Sequence, residues 1–133
     1  MGPHDKRVSR WIEWWNTGDT TIADSIYAPG YTRHSADTPG TGPGPVKQLV
    51  AMYRRAFPDL RFVVEDQIGE GDRVAVRWTA AATHLGELMG FAPSGRRSSL
   101  TGCDLLRIEG GRIVESWPFF DRLALLEQLK GNG

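Results

Sequence analysis

One acidic side chain of this sequence lies in an apolar stretch, where it could serve as a general acid or base. Asp104 stands in the segment CDLLRI, residues 103–108. Burial of a carboxyl group among apolar side chains disfavours its charged form and raises its pKa towards neutrality. A structural ion pair with an arginine on a neighbouring strand, such as Arg77, is the alternative. The sequence leaves both interpretations open.

Two histidines are further candidates for proton transfer. His34 and His84 each follow an extended segment and precede a loop rich in small residues. A neutral imidazole at a cavity mouth can accept or donate a proton near neutral pH. A half-exposed loop histidine without a role is the alternative, and it is stronger for His84. We therefore expect Asp104 and His34 to be catalytic and His84 to contact the substrate.

Other kinds of active site find no support in the sequence. It contains no phosphate-binding loop, dinucleotide fingerprint, HExxH or G-x-S-x-G motif. The three histidines are far apart and lack the spacing of metal ligands, so we expect no metal site and no cofactor. Cys103 is the only cysteine, which excludes an intramolecular disulfide, and it is better interpreted as a small apolar residue than as a nucleophile.

The composition is typical of one globular domain spanning residues 1–133. The formal net charge is +0 and no basic run occurs, which argues against a nucleic-acid partner. No apolar run approaches the roughly 20 residues of a membrane-spanning helix. The N-terminus lacks the apolar core of a signal peptide, so we expect a cytoplasmic protein.

Three helices are predicted in the first half of the chain. They cover residues 5–17, 19–27 and 45–57. The first and third carry apolar side chains at the spacing of one helix face. These faces contain Trp15, Leu49 and Tyr53, which we expect to face a sheet and line its pocket. Residues 37–45, rich in proline and glycine, form a loop suited to a mobile flap.

Alternating apolar residues predict four strands in the second half of the chain. The strands cover residues 60–68, 73–84, 97–108 and 112–119. Arg77 and Trp78 alternate, so only one can face the cavity, and we assign Arg77 to the substrate site. Gly110-Gly111 predicts a tight hairpin between the last two strands. Asp121 is expected to cap a final helix whose apolar face is Leu123, Leu126 and Leu129.

This order of elements predicts an α+β fold. A curved antiparallel sheet wraps around the three N-terminal helices and forms a cone-shaped barrel with an apolar pocket. A two-residue turn at Gly110-Gly111 pairs residue 104 with residue 117, so Trp117 is expected to line the pocket beside Asp104. Residue 118 then points away unless a β-bulge shifts the register, and proline within a strand is typical of an edge or a bulge.

The order and spacing of several segments resemble the SnoaL-like polyketide cyclases, in the superfamily named after nuclear transport factor two. The matching segments are Trp15 to Asp19, Tyr27 to Pro29 with Tyr31 and His34, Ala56 to Leu60, Gly71 to Trp78, Thr83 to Gly90, and Asp121 to Leu129. The resemblance implies a cone, a homodimer through the sheet and a cavity for a hydrophobic, often polycyclic ligand. It also implies a last-strand aspartate that catalyses a cofactor-free intramolecular aldol closure.

The sequence departs from this family at that aspartate. The corresponding residue is Pro118, which cannot transfer a proton. Asp121 resembles the helix cap of many members, and Glu115 resembles a structural residue. Asp104 aligns with a pocket histidine of the cyclases. The resemblance therefore leaves Asp104, one strand away, as the residue most suited to acid–base catalysis.

We expect an enzyme of aromatic polyketide biosynthesis that acts on a hydrophobic polycyclic intermediate. The step is a cyclase-type reaction or a ring hydroxylation, and a hydroxylation would involve a partner reductase. A non-catalytic binding or dimerisation protein is the alternative. An epoxide hydrolase or isomerase is less supported, because Asp104 and Arg77 supply only part of an Asp-Arg-Asp set. The residues expected to contact the substrate are Trp15, Leu49, Tyr53, Arg77, His84, Trp117 and Pro118.

Overall fold

Helices dominate the first half of the chain and strands the second. The computed structural model describes residues 2–38 and 40–130. Its elements are α1 (Asp5–Thr17), α2 (Thr20–Ile26), β1 (Tyr27–Arg33), α3 (Pro43–Ala56), β2 (Arg61–Glu70), β3 (Arg73–Thr83), β4 (Arg97–Glu109), β5 (Arg112–Phe120) and α4 (Arg122–Lys130). Within these ranges, none of the helices combines the length and the apolar character needed to cross a bilayer.

The ends of the helices follow from a few local residues. Gly18 adopts a left-handed conformation with φ 70°, and its N–H donates to the Trp14 carbonyl at 2.8 Å, which ends α1. Asp19 accepts a hydrogen bond from the Thr21 N–H at 2.9 Å and caps α2. Asp121 caps α4 in the same way, through the Ala124 N–H at 2.9 Å. These predicted caps are confirmed.

The five strands form one sheet in the order β1-β5-β4-β3-β2. All neighbours are antiparallel except β1 and β5, which are parallel. Helices α1 and α3 pack on the same concave side, and α4 packs against β4. The predicted α+β fold, a curved sheet over helices, is confirmed. The cone is not a closed barrel, because β1 and β2 lie at opposite edges of the sheet.

A β-bulge in β5 decides which residues share a face with Asp104. Arg107 pairs with Glu115 but the next residue of β4, Ile108, pairs with Ile113, so residue 114 is an extra residue in β5. Asp104 therefore lies opposite Pro118, and Leu105 lies opposite Trp117. The predicted pairing of residues 104 and 117 is wrong, and the alternative with a bulge is correct.

Helix α4 differs from its predicted packing. Leu125 and Leu129 are buried, whereas Leu123 is 66% exposed, so the predicted apolar face was wrong in part. Leu125 and Leu129 are one turn apart and lie towards β4, as the helix does. The Gln128 side chain holds this position by exchanging two hydrogen bonds of 2.9 Å with the backbone of Ser99 in β4.

Candidate functional site

A largely aromatic cavity lies between the concave face of the sheet and the helices. It encloses about 640 Å³ of empty space, part of which is open to solvent. A concave, mostly apolar space of this kind is typical of small-molecule sites. The charged residues that line it are Arg33 and Asp104. Its aromatic lining consists of Trp11, Trp15, Tyr53, Phe57, Phe62, Trp78 and Phe120.

Asp104 is buried in the wall of this cavity, with 3% of its surface exposed. Its Oδ1 accepts a hydrogen bond from the Trp78 indole N–H at 2.9 Å. Its Oδ2 is buried and has no hydrogen-bond partner among the described residues. Burial raises the pKa of Asp104 to about 6, although the charge of Arg33 and the Trp78 hydrogen bond oppose the rise. The carboxyl group can therefore exchange a proton near neutral pH.

Arg33 supplies the positive charge nearest to Asp104. Its Nη1 lies 4.0 Å from Asp104 Oδ2. On the other side, its Nε and Nη2 donate to Asp37 at 3.2 and 3.4 Å. Asp37 also accepts from Arg122 of α4 at 3.1 Å. Burial alone would raise the pKa of Asp37, but hydrogen bonding and charge attraction from Arg33 lower it below its usual value. Two buried carboxyl groups thus flank one guanidinium.

A glycine on β4 explains how Trp78 reaches Asp104. Trp78 of β3 pairs with Gly102 of β4. A Cβ atom at Gly102 would lie 2.3 Å from Cζ2 of the Trp78 ring, so only glycine leaves room for this indole. The ring crosses β4 at that point, and its N–H reaches the carboxyl group two residues further along. Phe62 packs edge-on against the same ring, with centroids 4.9 Å apart.

The structure brings together three of the predicted site residues: Asp104, Trp15 and Tyr53 all line the cavity. Trp15 lies 6.4 Å from Tyr53 between ring centroids. The guanidinium carbon of Arg33 lies 5.7 Å from the Trp15 ring centroid, within the range of a cation–π contact. The predicted aromatic lining from α1 and α3 is therefore present beside the acid.

Three other predicted site residues lie on the outer face of the sheet. His34 Nε2 contacts Glu115 Oε2 at 2.8 Å, and its ring stacks on Trp117 with centroids 4.8 Å apart. Arg77 donates to Asp66 at 3.0 Å. Because side chains alternate along a strand, the neighbouring residues Arg33 and Trp78 point inward, and His34 and Arg77 point outward. The bulge in β5 turns Trp117 outward. The alternative ion pair of Asp104 with Arg77 is also wrong, because the two side chains are on opposite faces.

The remaining three predicted contacts also lie outside the residues that line the cavity. His84 is 0% exposed, so it is neither a mouth residue nor a half-exposed one. Its Nδ1 accepts from the Ser94 N–H at 3.2 Å, and its ring packs near Phe57. Leu49 is buried in the core. Pro118 shares a face with Asp104 but is absent from the cavity lining.

Sequence reasoning missed Arg33, which approaches Asp104, and it weighed Trp78, which contacts Asp104, but assigned Arg77 to the site instead. The sequence offered a signal for Arg33, because it stands two residues after Tyr31 on β1 and therefore shares its face. Both side chains are buried. For Trp78, the signal was Gly102 in the neighbouring strand. No group of three or more histidine, cysteine or acidic side chains able to hold a metal ion occurs in residues 2–38 and 40–130.

Comparison with known proteins gives one consistent match. The family described as SnoaL-like polyketide cyclase matches residues 6–129. Nogalonic acid methyl ester cyclase of Streptomyces nogalater is 34% identical over 110 residues, which cover 79% of this chain and 82% of that protein. Aklanonic acid methyl ester cyclase DnrD of Streptomyces peucetius is 31% identical over 130 residues, covering 92% and 87%. The crystal structure of AclR from Streptomyces galilaeus, provisionally assigned as a hydroxylase, superposes with a TM-score of 0.84 at 31% identity, covering 96% and 95%.

Proposed function

Because this chain belongs to the SnoaL-like polyketide cyclase family, we propose that Asp104 is the general acid and base of a ring closure. Family membership confirms the resemblance and the expected cyclase-type enzyme of polyketide tailoring. The assignment of the reaction to Asp104 rests on one observation: a buried carboxyl group, one oxygen of which has no hydrogen-bond partner among the described residues, lies in an aromatic cavity.

The position of Asp104 supports this assignment. The resemblance implies that related cyclases carry their catalytic aspartate where this chain has Pro118. Asp104 lies directly opposite Pro118 on the neighbouring strand. Opposed residues in an antiparallel pair have Cβ atoms about 4.5–5.5 Å apart and point to the same face. A carboxyl group from β4 can therefore act on nearly the same point of the cavity as one from β5.

The proposed reaction is an intramolecular aldol closure. Asp104 Oδ2 removes a proton from the carbon next to a carbonyl group, and the electron pair of that C–H bond moves to the carbonyl oxygen as an enolate. The enolate carbon then forms a C–C bond to a second carbonyl carbon of the same molecule. The resulting alkoxide takes a proton from the Asp104 carboxylic acid, which restores the carboxylate. The step is an isomerisation and consumes no oxidant or reductant.

The proposed substrate is the methyl ester of a polycyclic polyketide acid. Two relatives are named for methyl esters of this kind. An ester carries no charge, whereas a free carboxylate would have to lose its hydration in an apolar cavity next to ionised Asp104. Trp15, Tyr53 and Trp78 offer ring faces and edges against which a flat polycyclic molecule can pack.

The direct test is the isosteric substitution Asp104→Asn. We expect turnover of a polycyclic polyketide methyl ester to fall by about 100-fold or more, because a positioned acid–base group contributes roughly 10²–10⁴ in rate. Circular dichroism should show unchanged folding. The matched control is Asp66→Asn, which alters an exposed carboxyl group on the outer face and should leave turnover unchanged. Turnover within tenfold of wild type in Asp104→Asn would remove Asp104 from the mechanism.

Ring hydroxylation is the second candidate, because AclR is as similar to this chain as the cyclases are. It would require molecular oxygen and electrons from a partner reductase. The two reactions differ in the mass of the product: closure gives an isomer of the substrate, and hydroxylation adds one oxygen atom. Conversion under strict exclusion of oxygen, with unchanged mass, favours closure.

A homodimer through the outer face of the sheet and a cytoplasmic location remain part of this proposal. Phe119 on that face is 62% exposed, and it lies opposite Cys103. An exposed phenylalanine beside Trp117 would be covered in a dimer. Sedimentation of Phe119→Glu should show a shift towards the monomer, whereas Leu123→Glu on α4 should leave the association state unchanged.

A further inference from the structure

Arg33 has an unusual environment for an arginine. Only 7% of its surface is exposed, and it lines the cavity together with Asp104. An isolated charge at such a position is costly, so buried arginines are paired. Asp37 supplies the pairing through two nitrogens of Arg33, Nε and Nη2. The third nitrogen, Nη1, is directed towards Asp104.

Arg33 and Asp104 are close but do not form a hydrogen bond. Nη1 and Oδ2 are 4.0 Å apart, whereas a direct charge-assisted bond would be about 2.7–2.9 Å. Asp37 and the Trp78 N–H hold the two groups from opposite sides, at 3.2 Å and 2.9 Å. These contacts keep Nη1 and Oδ2 apart, so each atom retains a direction in which it can meet a substrate atom.

The separation of Nη1 and Oδ2 suits the removal of a proton from a carbon next to a carbonyl group, because two atoms of the substrate then need a partner. The base must reach the hydrogen on the carbon, and a donor must reach the oxygen of the adjacent carbonyl. These two positions are neighbours but not coincident, so the base and the donor must stand apart by more than one hydrogen bond. Asp104 Oδ2 and Arg33 Nη1 meet this condition at the same wall of the cavity.

We propose that Arg33 is a second catalytic residue, whose Nη1 donates a hydrogen bond to the enolate oxygen formed when Asp104 removes the proton. This inference rests on the proposed ring closure. As the C–H bond breaks, the proton moves to Asp104 Oδ2 and the negative charge moves from that carboxylate to the substrate oxygen. Arg33 lies within reach of both places, so the same cation compensates the charge before and after the transfer.

The test uses a probe that mimics the enolate without reacting. The probe is 2-hydroxyanthraquinone, a flat polycyclic phenol whose visible absorption changes when the phenol ionises. We expect wild-type protein to lower the ionisation midpoint of the bound probe by about one pH unit or more, since a nearby cation favours the anion. Arg33→Gln should abolish this shift. Asp104→Asn should keep or enlarge it, because it removes a competing negative charge.

Two further variants separate an enolate-binding role from a structural one. Arg122→Gln removes the other cation on Asp37, lies outside the cavity lining and should retain the shift. Arg33→Lys keeps the charge and should give an ionisation midpoint of the probe between those of wild type and Arg33→Gln. This variant controls for the possibility that the glutamine variant loses the shift by misfolding. In turnover, Arg33→Gln should lower kcat by about 10²–10³, with a smaller change in KM.

The outcomes distinguish this inference from the function on which it rests. A probe midpoint that is unchanged in both Arg33→Gln and Arg33→Lys would overturn the assignment of Arg33. If Asp104→Asn were inactive at the same time, the ring closure at Asp104 would still stand. If Asp104→Asn were active, the proposed function would fail whether or not Arg33 lowers the midpoint of the probe.

Discussion

The two faces of one sheet carry similar pairs of residues with different physical properties. On the concave face, Arg33 and Asp104 are buried and 4.0 Å apart. On the outer face, Arg77 and Asp66 form an exposed ion pair at 3.0 Å, with side chains 51% and 59% accessible. The outer pair is solvated, and water screens the attraction between its charges, so it contributes little to stability. Residue type alone therefore does not distinguish the carboxyl group that we propose as reactive from the solvated one; burial does.

The two faces also shift the pKa values of their carboxyl groups in opposite directions. Burial raises the pKa of Asp104 to about 6. Glu115 on the outer face has a lowered pKa, because it accepts hydrogen bonds from His34 and Arg107. The inner carboxyl group is ready to take up a proton near neutral pH, and the outer one is held ionised. Only the first is suited to act as a general base that later returns the proton.

The largest effect that we predict is a dependence of stability on pH that comes from Asp104. Its pKa is higher in the folded state than in the unfolded chain, so its contribution is fully present at pH 3.8 and below, and is lost as the pH rises through about 6. The loss should amount to about 3 kcal/mol. Urea unfolding of wild type and Asp104→Asn at pH 4 and pH 7.5 measures this loss. If the free energy of unfolding changed equally between the two pH values in both proteins, the result would contradict the burial of an ionisable Asp104.

Glu115 should make stability depend on pH in the opposite direction in the same experiment. Its folded-state pKa is lowered, so its contribution is present above its ordinary pKa of 4.5 and is lost as the pH falls through the folded value. Glu115→Gln should therefore be destabilising at pH 7 and less so at pH 3. If the free energy of unfolding of Glu115→Gln changed with pH in the same way as that of Asp104→Asn, the distinction between the two faces would be lost.

The next effect concerns the packing between Trp78 and Gly102. Gly102→Ala adds a methyl group where the indole now lies, so we expect a loss of about 1–3 kcal/mol of stability from overpacking. The indole should also move away from Asp104, which would raise the midpoint of the pH–activity profile. Gly30→Ala in β1 is the control, since nothing lies within 4 Å of its added Cβ. Equal unfolding midpoints for the two variants would refute this account of the contact.

A smaller effect is expected at Tyr53. Its hydroxyl is buried without a hydrogen-bond partner among the described residues, so Tyr53→Phe should leave stability unchanged or slightly higher. If the hydroxyl donates to bound substrate, KM should rise by about 3- to 10-fold with kcat little changed. Steady-state kinetics decide this, with Trp117→Phe on the outer face as the control. A KM that rises only in the control would reverse the assignment of the faces.

The smallest effect is expected at the exposed pair. Arg77→Gln should leave the free energy of unfolding nearly unchanged, because water screens this exposed pair, and it should leave turnover unchanged. Denaturant unfolding and kinetics on the same sample measure both quantities. A tenfold loss of turnover in Arg77→Gln would restore the sequence-based assignment of Arg77 to the substrate site.

The fold could be predicted from local signals. Helix ends followed from Gly18, Asp19 and Asp121, and the strands followed from alternation. The tight turn at Gly110 and Gly111 was also predictable, because both adopt positive φ, 60° and 77°, which suits glycine. These features depend on residues that are close in sequence, and the resemblance to the family added the cone and the cyclase-type activity.

The site was only partly predictable, because its geometry depends on long-range register. Asp104, Trp15 and Tyr53 were identified from apolar surroundings and helical spacing. Pro118 indicated that a bulge was possible, but its place at residue 114 has no signature in the sequence. Trp117 was therefore assigned to the wrong face, because one residue of slip moves every later side chain of a strand to the other face. The partners Asp37 and Arg122 lie 85 residues apart, beyond any local pattern.

The central claim, that the buried carboxyl group of Asp104 is the base, is tested most directly by the pH dependence of kcat/KM. Asp104 must be ionised to remove a proton, so kcat/KM of the wild-type protein should fall as the pH decreases through about 6. In Asp104→Asn, the residual activity should show no inflection in that range. An unchanged inflection near pH 6 in Asp104→Asn would contradict the account.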